Sequence, residues 1–349
     1  MTKRKLKVSL IGLGKQTVEN HLPAIQEARN VVLDSVCDAD KQLAYKISGE
    51  HNVPAFTSVE DLLRSKKPDF AILAVPHSEY LPIIKQLAQS GVHVLKEKPF
   101  AVSLAEACEI HAIVQDAGIQ LAVTLVRRYH PIYLSFRQLC HRIGNIHSVE
   151  GRYTLNIARL DEGWRSKRAI AGGGAALDMG YHTVDLLVWY FGLPTRVAGK
   201  LGTSAREGQK YDVEDTAMVL FNYDKGRKMT TPIIGNLVMS RAFPAKDEQL
   251  MILGSRGSIG ISRGKITRMD QTGAVVESLE RQGSWLSASV DQLEYFADAI
   301  TGRKKIERPL YFDHFDHVAF IEAIYSSNEQ NAYVDPQKLL PPFVRAGVE

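Results

Sequence analysis

The sequence predicts an α/β protein: an N-terminal doubly wound parallel sheet followed by a C-terminal α+β domain. Three observations carry that expectation. Short β-branched runs alternate with helical periodicity from residue 6 to about 126, a Gly-x-Gly turn follows the first run, and past Tyr129-His130-Pro131 the texture changes to strands with few helices.

In the first part the strand segments are 6–12, 31–38, 69–75, 92–97 and 119–125, with a weaker one at 55–57. Helices fall in the gaps between them. Ser58 with Asp61 and Ser103 with Glu106 read as N-terminal caps, and Gly91 and Gly118 stand where helices stop. The second part opens with a helix near 132–142. Strand-like segments follow at 146–157, 195–202, 215–223, 228–239, 248–254 and 257–269. Its main helix spans 175–191 and ends at Gly192 and Pro194, and two more cover 289–301 and 314–328. A chain of 349 residues exceeds one typical core, so two domains are expected, 1–130 and 131–349.

A hydrophobic share of 45% with 23% charged residues describes a globular chain and excludes extensive disorder. The net charge of +4 is scattered rather than gathered in a stripe, so no nucleic-acid partner is expected. Cys37, Cys108 and Cys140 are few, odd in number and far apart, which suits reduced thiols and predicts neither a disulfide framework nor a metal site. The basic start MTKRKLK leads into a short strand broken by Gly12 and Gly14. No long apolar stretch follows it, so neither a leader nor a membrane span is expected and the cytoplasm is the predicted location.

Three segments carry chemistry. Gly12-Leu13-Gly14 joins a strand to a helix, where backbone N–H groups and the helix N-terminus can approach a pyrophosphate. Asp38, at the end of the second strand, is placed to accept the ribose hydroxyls of an adenosine, which favours NAD; Lys41 keeps NADP open. Thr17 stands where a small third residue is usual, and its β-branch predicts looser packing of the first helix. Glu97-Lys98-Pro99 closes the strand from Val92 at the carboxyl edge of the sheet, where ligands bind. Pro99 restricts Lys98 to an extended conformation, and a lysine next to a cationic ring titrates low enough to exchange a proton. Finally, GGGAALDMGYHTVD places Asp178, His182 and Asp185 at helical spacing behind Gly172, Gly173 and Gly174. The spacing predicts one shared face, and the glycines predict close approach of ligand to backbone.

Together these segments resemble the Gfo/Idh/MocA oxidoreductases, along nearly the whole chain. The resemblance rests on GLGKQTVENHLPAI, AVPHSEY, GVHVLKEKPF, RRYHP, GWR, GGGAALDMGYHTVD and GSRGSIGI. It implies a Rossmann domain and an open-faced sheet domain that binds substrate and commonly forms a homodimer or homotetramer interface. It implies catalysis by Lys98, Asp178 and His182. It further implies cofactor contacts from Gly12, Leu13, Gly14, Lys15, Gln16, Asp38, Val75, Pro76, His77, Glu97, Lys98, Arg128, Trp164 and Arg165. Tyr153, Arg165 and Tyr181 lie near the catalytic segment and join Lys98, Asp178 and His182 as substrate contacts. Thr17 and Tyr80 depart from the family pattern. The implied reaction is hydride transfer between nicotinamide and a secondary alcohol carbon of a sugar, cyclitol or sugar derivative. A glycosidase or lyase working by transient oxidation, and a non-catalytic cofactor-sensing regulator, are the alternatives on this scaffold.

Overall fold

The computed structural model describes residues 4–224, 231–280 and 283–345. Six parallel strands form the first sheet: β1 Leu6–Ile11, β2 Val31–Cys37, β3 Ala55–Phe56, β4 Phe70–Leu73, β5 His93–Lys96 and β6 Leu121–Val123. Their order, β3-β2-β1-β4-β5-β6, is that of a dinucleotide-binding doubly wound sheet, whose ligand crevice lies at the carboxyl edge near β1 and β4. The strands are short and rich in apolar residues because helices cover the sheet; β4 is buried throughout and β1 at every residue but Lys7. The cap expected at Ser58 is present, its Oγ accepting from the Asp61 amide at 3.1 Å, and Asp40, which the sequence reading did not single out, accepts from the Gln42 and Leu43 amides.

The second sheet has eight strands: β7 Ile146–Asn156, β8 Arg196–Gly202, β9 Thr216–Tyr223, β10 Ile233–Ser240, β11 Ala242–Gly254, β12 Gly257–Ser262, β13 Lys265–Met269 and β14 Val275–Glu280. They run in the order β14-β13-β12-β11-β7-β10-β9-β8, antiparallel except where β7 meets β10. One face is buried, with Phe221 on β9 packed edge-on against Phe320 of the helix His314–Gln330. The alternate residues Met218, Leu220 and Ile234 are each more than half exposed.

Several expectations need correction here. The segment 257–269 is two strands, because Arg263-Gly264 is a two-residue hairpin turn with Gly264 at φ 86°. β14 escaped the sequence reading because its residues are largely exposed and lack the apolar alternation of a half-buried strand. Of the strand expected at 228–239, residues 228–230 lie outside the described residues. The helix expected from 289 begins at Trp285, behind a Ser284 cap.

Chain continuity and compactness also part company. One compact unit comprises Met1–Phe100, Ala105–Tyr129 and Ser284–Phe312; the other comprises Ala101–Leu104, His130–Gly283 and Asp313–Glu349. A single cut near residue 130 therefore does not describe the molecule. The helix Trp285–Ile300 belongs to the core of the first unit, where Leu293, Phe296 and Ala297 pack with Leu6, Val8 and Phe70.

Candidate active site

In the first unit the glycine turn is drawn tight by its own side chains. Gly12 has φ 87°, and a Cβ there would stand 2.3 Å from the Ala74 carbonyl oxygen, so only glycine lets β1 pass β4 this closely. A Cβ on Gly14 would meet nothing within 4 Å, which leaves space beside that backbone for a ligand. Asp38 spans the turn from β2: Oδ2 accepts from the Leu13 amide at 2.7 Å and Oδ1 from the Asp40 amide at 2.8 Å. Both oxygens keep lone pairs for a diol. Thr17 does not loosen the packing as its β-branch suggested. It is fully buried, and its hydroxyl donates to the Gly12 carbonyl at 2.6 Å, so a side-chain hydrogen bond does what a third small residue would do by close contact.

After this turn the chain enters a π-helical turn, Thr17–His21. It carries His21, which the sequence reading missed. His21 Nε2 lies 2.9 Å from Glu97 Oε1, and Gln16 Nε2 donates to the same oxygen at 3.2 Å, so Glu97 links the junction after β5 to the glycine turn. Burial pushes the Glu97 carboxyl up, but the hydrogen bond and positive field of His21, with help from Lys98 and Thr124, outweigh it and hold the group below its ordinary range. Folding therefore gains stability from this carboxylate above its unfolded value, and loses it as pH falls through the lower folded value. Glu97→Gln should lower unfolding free energy by about 1–2 kcal/mol at neutral pH. In urea titrations the gap from wild type should close on acidification below pH 4.5.

Lys98 is half-buried and precedes Pro99 through a cis peptide bond. His77 is buried, its ring stacked on Tyr80, while Val75 and Pro76 are partly exposed. Lys15 is exposed and near Glu19, and Arg128 is half-buried on the turn Val126–Tyr129.

In the second unit, residues Ala175–Met179 form a π-helical turn that runs through Gly180 into a regular helix from Tyr181, so Asp178 lies on the turn and His182 and Asp185 on the helix. Asp178 is buried, and its Oδ2 accepts from Arg165 Nε at 3.0 Å and Arg241 Nη2 at 3.1 Å. Arg241, absent from the sequence reading, is 3% exposed and also donates to the Arg165 carbonyl. Trp164 lies under the Arg165 guanidinium, 4.2 Å from ring centroid to carbon. Asp185 turns into the core, where its carboxylate meets His317 Nε2 at 2.9 Å. His182 is half-buried, with the Tyr153 ring 6.0 Å away.

Two further expectations are corrected. Tyr181 is fully buried, its hydroxyl 2.7 Å from His314 Nδ1 and its ring stacked on His314 and His317, so it is a core residue rather than a substrate contact. The three glycines admit protein rather than ligand. A Cβ on Gly172 would strike Val102 at 2.6 Å, on Gly173 the Tyr325 hydroxyl at 2.0 Å, and on Gly174 the Glu214 carbonyl oxygen at 1.9 Å. Glu214 is the residue this packing serves. Wholly buried, it accepts at Oε1 from the Gly174 and Ala176 amides at 2.8 and 3.0 Å and from the Tyr325 hydroxyl at 2.8 Å, anchoring the turn that carries Asp178.

The strand order, the glycine turn and its aspartate define a dinucleotide-binding domain, joined in one chain to a sheet domain with its own charged cluster. Residues 6–125 match the oxidoreductase-family NAD-binding Rossmann fold and residues 137–260 the GFO/IDH/MocA C-terminal domain; the chain belongs to that family of NAD-binding oxidoreductases. It is 29% identical to Oxidoreductase P35 of Formosa agariphila, over 72% of this chain and 78% of that one. It is 25% identical to the D-glucoside 3-dehydrogenase of Escherichia coli, over 65% and 69%. A solved levoglucosan dehydrogenase, in complex with NADH and levoglucosan, superposes with TM-score 0.82 at 20% identity, covering 95% and 99% of the two chains.

Proposed function

We propose that the protein is an NAD-dependent dehydrogenase acting on a secondary alcohol of a sugar, cyclitol or sugar derivative. The observation that carries this reading is the division of labour in the second unit: Asp178 and Asp185 are buried and engaged inside the protein, while the His182 imidazole is half-buried, beside an aromatic ring. Gly12, Gly14 and Asp38 suit the adenosine and pyrophosphate half of the cofactor, and the carboxylate at residue 38 opposes a ribose phosphate, which supports NAD over NADP. A nicotinamide cofactor held there would supply or accept the hydride. His182 exchanges the hydroxyl proton, Lys98 polarises a substrate oxygen, and Asp178 holds Arg165 against Trp164. The names of the glucoside and levoglucosan dehydrogenases support the carbohydrate class.

The test is a nicotinamide absorbance screen, with NAD and NADP, against free, phosphorylated and nucleotide-linked sugars and inositols. NAD-linked turnover of a member of this panel is expected. Binding of NAD with no turnover of any member would sink the reading in favour of a regulator, and aglycone release without net NADH would point to the transient-oxidation alternative.

We further propose a homo-oligomer formed through the open sheet face, because Met218, Leu220 and Ile234 expose contiguous apolar surface on neighbouring strands β9 and β10. Ile234→Lys should convert the assembly to monomer in sedimentation; a wild-type chain that sediments as a monomer would refute this. Free thiols at Cys37, Cys108 and Cys140 suit the reducing cytoplasm, the location we propose.

A further inference from the structure

Strand β5 ends in a lysine that the chemistry above does not use. Lys96, two residues before Lys98, is wholly buried. A cation sealed from water is retained in a fold only where its surroundings replace hydration. Those surroundings are present. Its Nζ donates to the Pro99 carbonyl and, at 3.0 Å, to the Phe100 carbonyl. The Tyr80 ring centroid is 3.7 Å away, so the ammonium sits on the electron-rich face of the aromatic residue that departs from the family pattern.

Methionine would fill the same volume without a charge, so packing alone does not account for a lysine here. What the ammonium adds is a tie to two consecutive carbonyls of the turn that begins at Lys98. We propose that Lys96 is a positioning residue, a buried clamp that fixes the turn Lys98–Phe100 and with it the direction in which Lys98 presents its amine. This rests on Lys98 being the group that polarises the substrate oxygen.

The clamp is also sensitive to pH. Burial lowers the ammonium to about 7, against the opposing charges of Glu106 and Glu97 and with a reinforcing push from Lys98. Glu106 faces it from the helix Leu104–Ala117, Tyr80 from the helix Tyr80–Gln89, and Glu97 and Lys98 from its own segment. It is therefore charged and tight below neutrality, and neutral and weaker above.

The test uses full-length protein with 15Nζ-labelled lysines and no cofactor, followed by kinetics on the best panel sugar. The Lys98 resonance, identified by its loss in Lys98→Met, should move in Lys96→Met and stay in place in the surface control Lys85→Met. In Lys96→Met, kcat should fall about 30-fold with KM and NADH affinity within about threefold, the signature of a misdirected group rather than lost binding. Lys96→Arg keeps a cation that does not titrate in this range, so it should recover most of kcat and lose the alkaline decline near pH 7. Glu106→Gln removes a supporting charge and should move that decline to lower pH; it carries the test if Lys96→Met fails to fold. An unmoved Lys98 resonance, wild-type kcat in Lys96→Met, or a pH profile unchanged in both Lys96→Arg and Glu106→Gln would overturn the proposal. Wild-type turnover in Lys98→Met would instead overturn the role of Lys98, and the resonance shift would still report the clamp.

Discussion

His182→Ala should lower turnover about a thousandfold while NADH binding stays within about threefold, because a positioned imidazole is worth two to four powers of ten in proton transfer. Lys98→Met should lose a similar factor, since a preorganised ammonium that polarises the oxygen is an electrostatic effect that reorienting solvent replaces poorly. Absorbance kinetics measure the first quantity and protein fluorescence on NADH titration the second. His182→Ala enzyme retaining more than about a tenth of wild-type turnover would remove the assignment, because a tenfold loss is only about 1.4 kcal/mol. Asp185→Asn provides the contrast. That carboxylate is bonded to His317 in the interior, so its loss should appear in stability and leave the turnover of folded molecules nearly intact.

The second large effect is structural. Gly174→Ala would place a methyl carbon 1.9 Å from a backbone carbonyl oxygen, an atom that cannot swing aside as the end of a side chain can. The turn Ala175–Met179 must shift, and with it the two amides held by Glu214. A loss of roughly 3 kcal/mol or more in chemical denaturation is expected, at the severe end for added core volume. Tyr325→Phe removes only one hydrogen bond to the same carboxylate and should cost about 1 kcal/mol. Equal stability of Gly174→Ala and wild type would show that the glycine is not there to let the Glu214 backbone approach.

The first sheet was legible because its strands are short runs rich in β-branched and aliphatic residues and a glycine turn has a local signature. The glycine run was legible as a place of close approach, but not as to what approaches: Val102, Tyr325 and Glu214 are far away in sequence. The spacing of Asp178, His182 and Asp185 gave no notice of the buried partners of the two carboxylates, Arg241 for Asp178 and His317 for Asp185. Those two partners, like His21 and Lys96, are single polar residues whose significance comes from burial, which no local pattern encodes. The edge strand β14 was invisible because its residues are largely exposed and repeat no apolar period.

The return of the helix Trp285–Ile300 to the first unit bears on how the protein emerges from a ribosome. By Val123 all six parallel strands have been made, yet the part of their core that Leu293, Phe296 and Ala297 complete, beside Leu22, Ile25 and Ile47, stays open until the entire second sheet has been translated. The nascent nucleotide-binding domain thus passes through a long interval with greasy surface showing, the circumstance in which chaperone engagement is most needed. A shortened gene ending near residue 130 would make that interval permanent, and its product should accumulate as inclusion bodies rather than as a free-standing domain.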